Sequence, residues 1–350
     1  MKISRRVNVS NMMPLDAALW YGKNKKAYFF SGKNYVRFNP KTNKVDEGYP
    51  KKTKSHWSGM PFNKIDAVLW HEKKKRVYFF SGANYVRFNP DTNKVDPGYP
   101  KKTKDHWHGM PFNKIDAVLW YRNKAYFFSG KKYARYNPTT NKVDAGYPKK
   151  TKDHWKGMPF DKIDAALWHD KKKKAYFFSG DEYVRYNSTA NKVDAGYPKN
   201  TIEYWYGLPG EDGIYLTSSH VQDIIKTKLK NKLKSNCKIR LADGKFFCPT
   251  VADANVIIQS SQVDQRVWIS ERFDCDDFAL LLKAEFVKDA YRQGDRRSAH
   301  CFGIVWGSLP GPHAINWMIN ADMKLRFIEP QQDTVYFPKS TDKDIYFMLS

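Results

Sequence analysis

The stretch DAALWYGKNKKAYFFSGKNYVRFNP, at residues 16–40, decides the fold because it returns along the chain. Its opening pentapeptide recurs as DAVLW, DAVLW and DAALW, starting at Asp66, Asp116 and Asp164. Successive starts are 50, 50 and 48 residues apart. Repetition at such a period is typical of a protein built from copies of one supersecondary unit.

Each repeat holds the elements of one small antiparallel sheet. Three short β-rich runs are separated by turn residues, and a closing segment ends in a tryptophan. The closing tryptophans are Trp57, Trp107, Trp155 and Trp205. The third repeat is two residues shorter within a Lys-rich hairpin loop, where a change of length is tolerated. Sheets of this size cannot bury their apolar faces alone, so we predict an all-β, four-bladed propeller with blades starting near residues 14, 64, 114 and 162.

The repeats resemble hemopexin repeats over about residues 14–209, because DAxxW, YFFxGxxYxRxxP and YPxxxxxxW or close variants recur in order four times. The resemblance implies that the strand after each DA motif lines a central channel. Backbone carbonyls there hold a calcium or sodium ion, with chloride or water deeper. The carbonyls implied are those of Asp16, Asp66, Asp116 and Asp164. Hemopexin repeats are often closed by a disulfide between the first and last blades, but this repeat region has no cysteine, so packing must close it.

Almost all of the net positive charge of the chain lies in the repeat region. The formal net charge is +25, and residues 1–210 hold 42 basic against 18 acidic side chains, whereas residues 211–350 hold 19 against 18. We therefore expect two domains, at 1–210 and 211–350. Repetition places the lysine runs on one rim of the propeller, where a ring of like charge would attract a protein, an anionic glycan or a membrane surface. Nucleic acid is not expected, because the repeated aromatics, such as Phe29, Phe30 and Trp57, are needed for the blade cores.

Cysteine use and the N-terminus bear on the compartment. No window approaches 18 apolar residues and the N-terminus has no apolar signal region, so we expect no membrane span, and a protein that is extracellular or released by a non-classical route. All four cysteines lie in the second domain. Cys237 and Cys248 flank a predicted hairpin that turns at Asp243-Gly244, and a disulfide across it is one alternative. Upstream of these cysteines, Ser219 is predicted to cap the first helix of the second domain.

The segment ERFDCDDFALLLKAEF, residues 271–286, places a cysteine at the predicted first turn of a helix. Backbone N–H groups and the positive end of the helix dipole there stabilise a thiolate and can receive an oxyanion. Asp276 and Asp277 oppose the thiolate at Cys275 unless a cation neutralises them. These residue types therefore predict a nucleophile with a compensating cation beside it, and the alternative is that the two aspartates only favour the helix N-terminus.

A base for that nucleophile is predicted in a hairpin over residues 312–331. If Ala321 is the centre of its turn, the facing pairs are Ile319 with Met323, Trp317 with Leu325, Ile315 with Phe327 and His313 with Glu329. A histidine opposite a carboxylate at the end of an apolar ladder is typical of a base with its orienting acid. The predicted triad is Cys275, His313 and Glu329.

The motifs DCDDFA, HAINW and FIEPQ resemble papain-like cysteine proteases, an α+β fold, over about residues 215–350. The similarity is closer to the calcium-dependent protease domain of the fairy-ring mushroom agglutinin, and to bacterial photopexins, which carry hemopexin repeats. It implies the same triad, calcium activation with Asp276 and Asp277 as the expected ligands, a protein substrate, a toxin-type role and a homodimer through the C-terminal domain. Two alternatives stay open: a transglutaminase-like acyl transferase with the same triad, and a non-catalytic glycan- or protein-binding protein.

Overall fold

The structure is a computed structural model of the whole chain. It describes residues 15–22, 24–46, 48–169, 172–205, 207–208, 214–292 and 298–350. The chain divides into two compact units, Met1–Glu211 and Asp212–Ser350. The predicted domain boundary, the blade start near residue 14 and the N-terminal segment lie outside the described residues.

Unit 1 contains four antiparallel sheets of the same construction. In each sheet the first three strands pair in order, two short strands pair with the third, and one helical turn follows. The first comprises β1 (Ala17–Tyr21), β2 (Lys26–Ser31), β3 (Asn34–Asn39), β4 (Lys44–Val45), β5 (Lys51–Lys52) and α1 (Thr53–His56). The second comprises β6 (Ala67–His71), β7 (Arg76–Ser81), β8 (Asn84–Asn89), β9 (Lys94–Val95), β10 (Lys101–Lys102) and α2 (Thr103–His106). The third comprises β11 (Ala117–Tyr121), β12 (Lys124–Ser129), β13 (Lys132–Asn137), β14 (Lys142–Val143), β15 (Lys149–Lys150) and α3 (Thr151–His154). The fourth comprises β16 (Ala165–His169), β17 (Lys174–Ser179), β18 (Glu182–Asn187), β19 (Lys192–Val193), β20 (Lys199–Asn200) and α4 (Thr201–Tyr204).

The first strands of the four sheets surround a common axis. β1 contacts β6 and β16, and β11 contacts the same two strands, so the four inner strands form a closed ring. This is the arrangement of a four-bladed propeller, and it confirms the prediction from the repeat. The apolar faces of neighbouring sheets are buried against each other.

Aromatic side chains join each blade to the next. The closing tryptophan of one blade contacts the edge of a buried phenylalanine in the following blade: Trp57 with Phe79 at 4.9 Å, Trp107 with Phe127 at 5.0 Å, and Trp155 with Phe177 at 4.9 Å between ring centres. The fourth joint, Trp205 with Phe29 at 5.2 Å, closes the ring between the last and first blades. These residues are buried, which confirms their predicted core role. Each ring pair contributes about 0.5–1.5 kcal/mol beyond its buried area.

The described residues of unit 2 form two sheets and three helices. A three-stranded sheet comprises, in spatial order, β21 (Ile214–Thr217), β23 (Lys245–Cys248) and β24 (Ala299–His300). A six-stranded sheet comprises, in order, β22 (Leu233–Arg240), β29 (Lys343–Leu349), β25 (Phe302–Ser308), β26 (Pro312–Ile319), β27 (Leu325–Glu329) and β28 (Thr334–Tyr336). The helices are α5 (Ser218–Lys228), α6 (Val251–Ser260) and α7 (Cys275–Arg292).

Helix α7 packs on strands β25 and β26 and carries the core of this unit. Its inward residues Phe278, Leu282 and Phe286 are buried against Phe302 and Met318 of the sheet. The Phe286 and Phe302 rings stack with their centres 3.7 Å apart. This burial fixes the axis of α7, and so the position of its first residue, over the sheet. Among the described helices, none is long and apolar enough to span a membrane.

Two local predictions for unit 2 are wrong. Strand β22 pairs in parallel with β29 and not with β23, so the predicted hairpin at Asp243-Gly244 does not form. Cys237 and Cys248 are accordingly free thiols. The N-cap of α5 is Thr217, whose hydroxyl accepts the His220 N–H, and not Ser219. The hairpin prediction failed because β22 pairs with a strand far along the chain, and the spacing of residues in the sequence gives no signal for such pairing.

The hairpin of β26 and β27 forms, but its register differs from the prediction by two residues. Ile319 lies opposite Leu325 and Trp317 opposite Phe327. The difference arises at the turn, where Asn320 N–H donates to the Lys324 carbonyl at 3.1 Å and centres the loop one residue later than Ala321. A shift of two leaves every side chain on its predicted face.

Candidate functional sites

The start of α7 is stabilised by a reciprocal pair of side-chain caps. The Asp276 N–H donates to the Asp274 carboxylate at 3.4 Å, and the Asp274 N–H donates to the Asp277 carboxylate at 3.1 Å. This is a capping box, with two otherwise unpaired N–H groups satisfied. Asp277 therefore has a structural role in capping the N-terminus of the helix, and Cys275 is fixed as its first residue.

Cys275 is half-buried at the junction of α7 with the sheet. It packs beside Ala279, Ile304, Ala314 and Trp306. Burial raises the pKa of its thiol, and the carboxylates of the two flanking aspartates raise it further, while a hydrogen bond with the Ala314 backbone acts in the opposite direction. The sulfur thus lies against the residue that immediately follows His313. Of the two acids predicted to oppose the thiolate, Asp276 does so, and Asp274 acts in the place predicted for Asp277.

His313 and Glu329 form a direct hydrogen bond. The His313 Nε2 atom lies 2.8 Å from the Glu329 Oε2 atom, and the two side chains are 22% and 15% exposed. Continuing the observed register, they are diagonal neighbours on one face of the hairpin and not directly opposite, a separation that long side chains span. Because Nε2 faces the carboxylate, Nδ1 is the ring nitrogen that can serve as a base.

A second histidine–carboxylate pair, which sequence reasoning missed, lies elsewhere in unit 2. The His300 Nε2 atom is 2.7 Å from the Asp289 carboxylate. Asp289 lies 14 positions after Cys275 on the same helix, which corresponds to about 21 Å along its axis. This pair therefore cannot serve Cys275, and it buttresses the far end of α7. The sequence gave no signal for this pair, because the spacing of Asp289 and His300 matches no recognisable motif.

The acidic residues around Cys275 were the predicted calcium ligands. Ligand atoms of Asp274, Cys275 and Asp276 lie within 4.8 Å of one another. A hydrogen bond with Asp274 is the main cause that raises the pKa of Asp276, so these two carboxylates face each other. Two opposed carboxylates fit a hard cation. The structure groups Asp276 with Asp274, and directs Asp277 to the cap; calcium at Asp276 and Asp277 stays a prediction.

The four DA aspartates occupy equivalent positions at one end of the propeller channel. In each blade the aspartate N–H donates to a phenylalanine carbonyl on the second strand at 2.9 Å, and its carboxylate accepts a glycine N–H. Lysines pair with three of the carboxylates, namely those of Asp16, Asp66 and Asp164. Burial is the main cause that raises the pKa of Asp16. With the carboxylates so engaged, four equivalent backbone carbonyls are the donor set that fits the predicted channel ion.

The geometry of unit 1 defines a class of protein: a propeller of four contiguous antiparallel blades, each with an inner strand that begins at the alanine of an Asp-Ala pair. The Hemopexin family model matches it at residues 15–61, 65–111, 115–159 and 163–210, which is more than half of the chain. The chain belongs to the hemopexin family. In unit 2, residues 246–335 match the family model described as Agglutinin C-terminal.

Several solved structures are similar to parts of this chain. The hemopexin fold protein CP4 from cow pea is 23% identical, with a TM-score of 0.48 over 55% of this chain and 96% of that one. A plant albumin from Cicer arietinum showing hemagglutination is 27% identical, with a TM-score of 0.47 over 55% and 95%. A Polyporus squamosus lectin, bound to a human-type influenza-binding epitope, is 16% identical, with a TM-score of 0.36 over 92% and 95%.

Proposed function

We propose that this chain binds an anionic glycan through its propeller, and that its second unit is a cysteine endopeptidase. The family matches support the binding role more directly than the catalytic one. The observation that carries binding is the confinement of charge, with 42 basic against 18 acidic side chains in residues 1–210. A surface of this sign attracts polyanions from solution.

The observation that carries catalysis is the 2.8 Å contact between His313 and Glu329 beside a cysteine at a helix start. His313 Nδ1 would take the proton from the Cys275 thiol, and the thiolate would attack the scissile carbonyl to form a tetrahedral intermediate. The imidazolium, held by Glu329, would return the proton to the leaving amine, and a thioester would remain. Water attack on that thioester, with His313 as base, would release the acid and the free thiol.

Backbone N–H groups at the start of α7 would receive the oxyanion of the intermediate. Asp274 and Asp276 would hold the calcium ion, which supplies positive charge that offsets their repulsion of a thiolate. The same triad would support acyl transfer if an amine replaced water. The toxin-type role, release from the cell and the homodimer stay predictions.

Binding is tested with the Cys275→Ala full chain, which keeps the fold and cannot cleave. Calorimetry with a hyaluronan tetrasaccharide, a heparin hexasaccharide and neutral lactose should show binding of the acidic sugars only, weakened by salt. If no acidic sugar binds at low salt, the binding proposal is wrong.

Catalysis is tested by digesting a mixed peptide library with the wild type, with and without calcium, and with Cys275→Ala as the control. Cleavage that requires both calcium and the cysteine supports the endopeptidase. Peptide–amine conjugates in place of cleavage products would identify an acyl transferase. If Cys275 labels with iodoacetamide no faster than the other thiols under any of these conditions, a binding protein without catalysis is the better description.

A further inference from the structure

The end of the propeller channel opposite the DA aspartates opens into a cavity of about 670 Å³. The inner strands run from the aspartate to this end, because each begins after the aspartate and carries a tryptophan near its last residue. The tryptophans that line the cavity are Trp20, Trp70, Trp120 and Trp168. The volume lies within the range of roughly 300–1,000 Å³ that is typical of small-ligand sites.

The tryptophan rings are held in place by the preceding blade. Trp20 stacks on His169 with ring centres 4.1 Å apart, and Trp120 packs on His71 at 4.3 Å. Tyrosines take the same position in the other two joints, with Trp70 on Tyr21 at 4.9 Å and Trp168 on Tyr121 at 5.0 Å. One side of each indole is thus covered and its orientation fixed, while other parts line the cavity. Such a surface is preorganised, which lowers the entropy cost of stacking a ligand on it.

Cations surround this mouth. The hairpin loop between the first and second strands of every blade carries a basic side chain on a left-handed backbone, and these residues are Lys25, Lys75, Arg122 and Lys173. Three of them, Lys25, Arg122 and Lys173, line the cavity and are exposed. The Arg122 guanidinium donates to the Ser188 carbonyl of the next blade at 3.3 Å, which fixes it at the rim.

The carboxylate of Glu72 also lines the cavity, but its negative charge is offset by a neighbouring lysine. Glu72 accepts the Trp70 indole N–H and pairs with Lys75. The field at the mouth is therefore positive. A cage of tryptophans alone would suit an organic cation, but the basic rim repels one. A ligand with flat apolar faces for the indoles and a negative group for the rim fits both features.

We propose that this mouth is the glycan site of the propeller and that it binds an acidic sugar, with the pyranose faces on the tryptophans and the carboxylate at the basic rim. This inference rests on the proposed binding function and locates it at one site. Glu72 and Ser188, which also line the cavity, place polar groups beside the indoles. A charge-only interaction spread over the lysine-rich surface is the alternative that the test must separate.

The test uses the Cys275→Ala full chain and a uronic-acid tetrasaccharide from hyaluronan, with its methyl ester as the uncharged probe. The mouth variant combines Lys25→Glu, Arg122→Glu and Lys173→Glu. The matched control combines Lys54→Glu, Lys104→Glu and Lys156→Glu, three exposed lysines of the outer segments, and changes the net charge equally.

At 150 mM salt the mouth variant should lose at least about tenfold in affinity and the control less than about twofold, because charge-assisted contacts are local and distant charges are screened. The tetrasaccharide should also change tryptophan emission in the parent protein, and the methyl ester should bind at least about tenfold more weakly. Unchanged thermal unfolding of both variants establishes that they fold.

Equal losses in the two variants would overturn this site while leaving glycan binding by the propeller intact. Equal affinity for the acid and its ester would overturn the acidic class of ligand. Binding of a planar aromatic anion at the mouth, with no binding of the tetrasaccharide, would overturn the sugar. If the parent protein binds no acidic glycan at all, the proposed function itself fails.

Discussion

Replacing Glu329 by Gln should lower the peptidase activity of unit 2 without unfolding it. The substitution keeps the shape of the side chain, and the amide oxygen can still accept the His313 Nε2 proton. What it removes is the negative charge that stabilises the imidazolium while the thiolate attacks. The loss is therefore expected in kcat, with little change in KM.

The size of the effect follows from the contact. The 2.8 Å separation and the small exposure of both side chains, 22% and 15%, describe a charge-assisted hydrogen bond that water screens only in part. Such a bond is stronger than its neutral counterpart by about 1–2 kcal/mol. At about 1.4 kcal/mol per factor of ten, kcat should fall by about 5- to 30-fold.

Initial rates on a fluorogenic peptide found with the library, in the presence of calcium, measure this loss. Glu285→Gln is the matched control, because Glu285 forms an ion pair of the same length, 2.8 Å, with Lys288 on helix α7. It should cleave at the wild-type rate, and His313→Ala should be inactive. Full activity of Glu329→Gln beside an inactive His313→Ala would refute the role of the carboxylate.

Three further outcomes are expected. Burial lowers the pKa of His71 from 6.5 to about 4. The unfolded chain therefore takes up the proton first, and the free energy of unfolding should fall by about 2–3 kcal/mol as the pH drops from 6.5 to 4. His71→Tyr, which introduces the residue found at this position in the first and third blades, should remove that loss in urea unfolding. A methyl group at Gly303 would clash with a neighbouring backbone carbonyl, whereas Gly244 has open space, so Gly303→Ala should cost at least about 3 kcal/mol and Gly244→Ala less than about 1 kcal/mol in the unfolding of unit 2. A mild disulfide oxidant should link the adjacent buried thiols of Cys248 and Cys301 and leave the other two cysteines open to alkylation. Peptide mass mapping would identify the linked pair. A link to any other cysteine would contradict the observed strand pairing.

The propeller could be predicted because each repeat contains the local sequence signals of one blade. The period, the alternating β runs and the tryptophan that closes each blade are local signals, and their repetition gives the ring. The same logic failed to separate the aromatics by role. Trp20 and its equivalents line the channel mouth, whereas Trp57 and its equivalents fill the blade joints. Only the direction of the inner strands distinguishes the two sets.

In unit 2 the sequence identified individual elements better than their pairing. The helix that starts at Cys275 and the hairpin that carries His313 both form, because capping and apolar alternation are encoded within a few residues. The register of the hairpin was missed by two residues, since the turn at Asn320 is set by its own hydrogen bonds. Strand β22 was assigned to the wrong partner, because its partner β29 lies about a hundred residues away.

The joint between Trp205 and Phe29 is chemically the same as the other three joints of the ring. Within the part of the propeller that the structure describes, no strand is exchanged between the first and last blades, and residues 1–210 contain no cysteine that could link them. The packing contacts between neighbouring blades therefore do not depend on which blades are joined by a peptide linker. A circular permutant that begins at the second blade and ends with the first should build the same ring, with its new termini at what is now an ordinary linker.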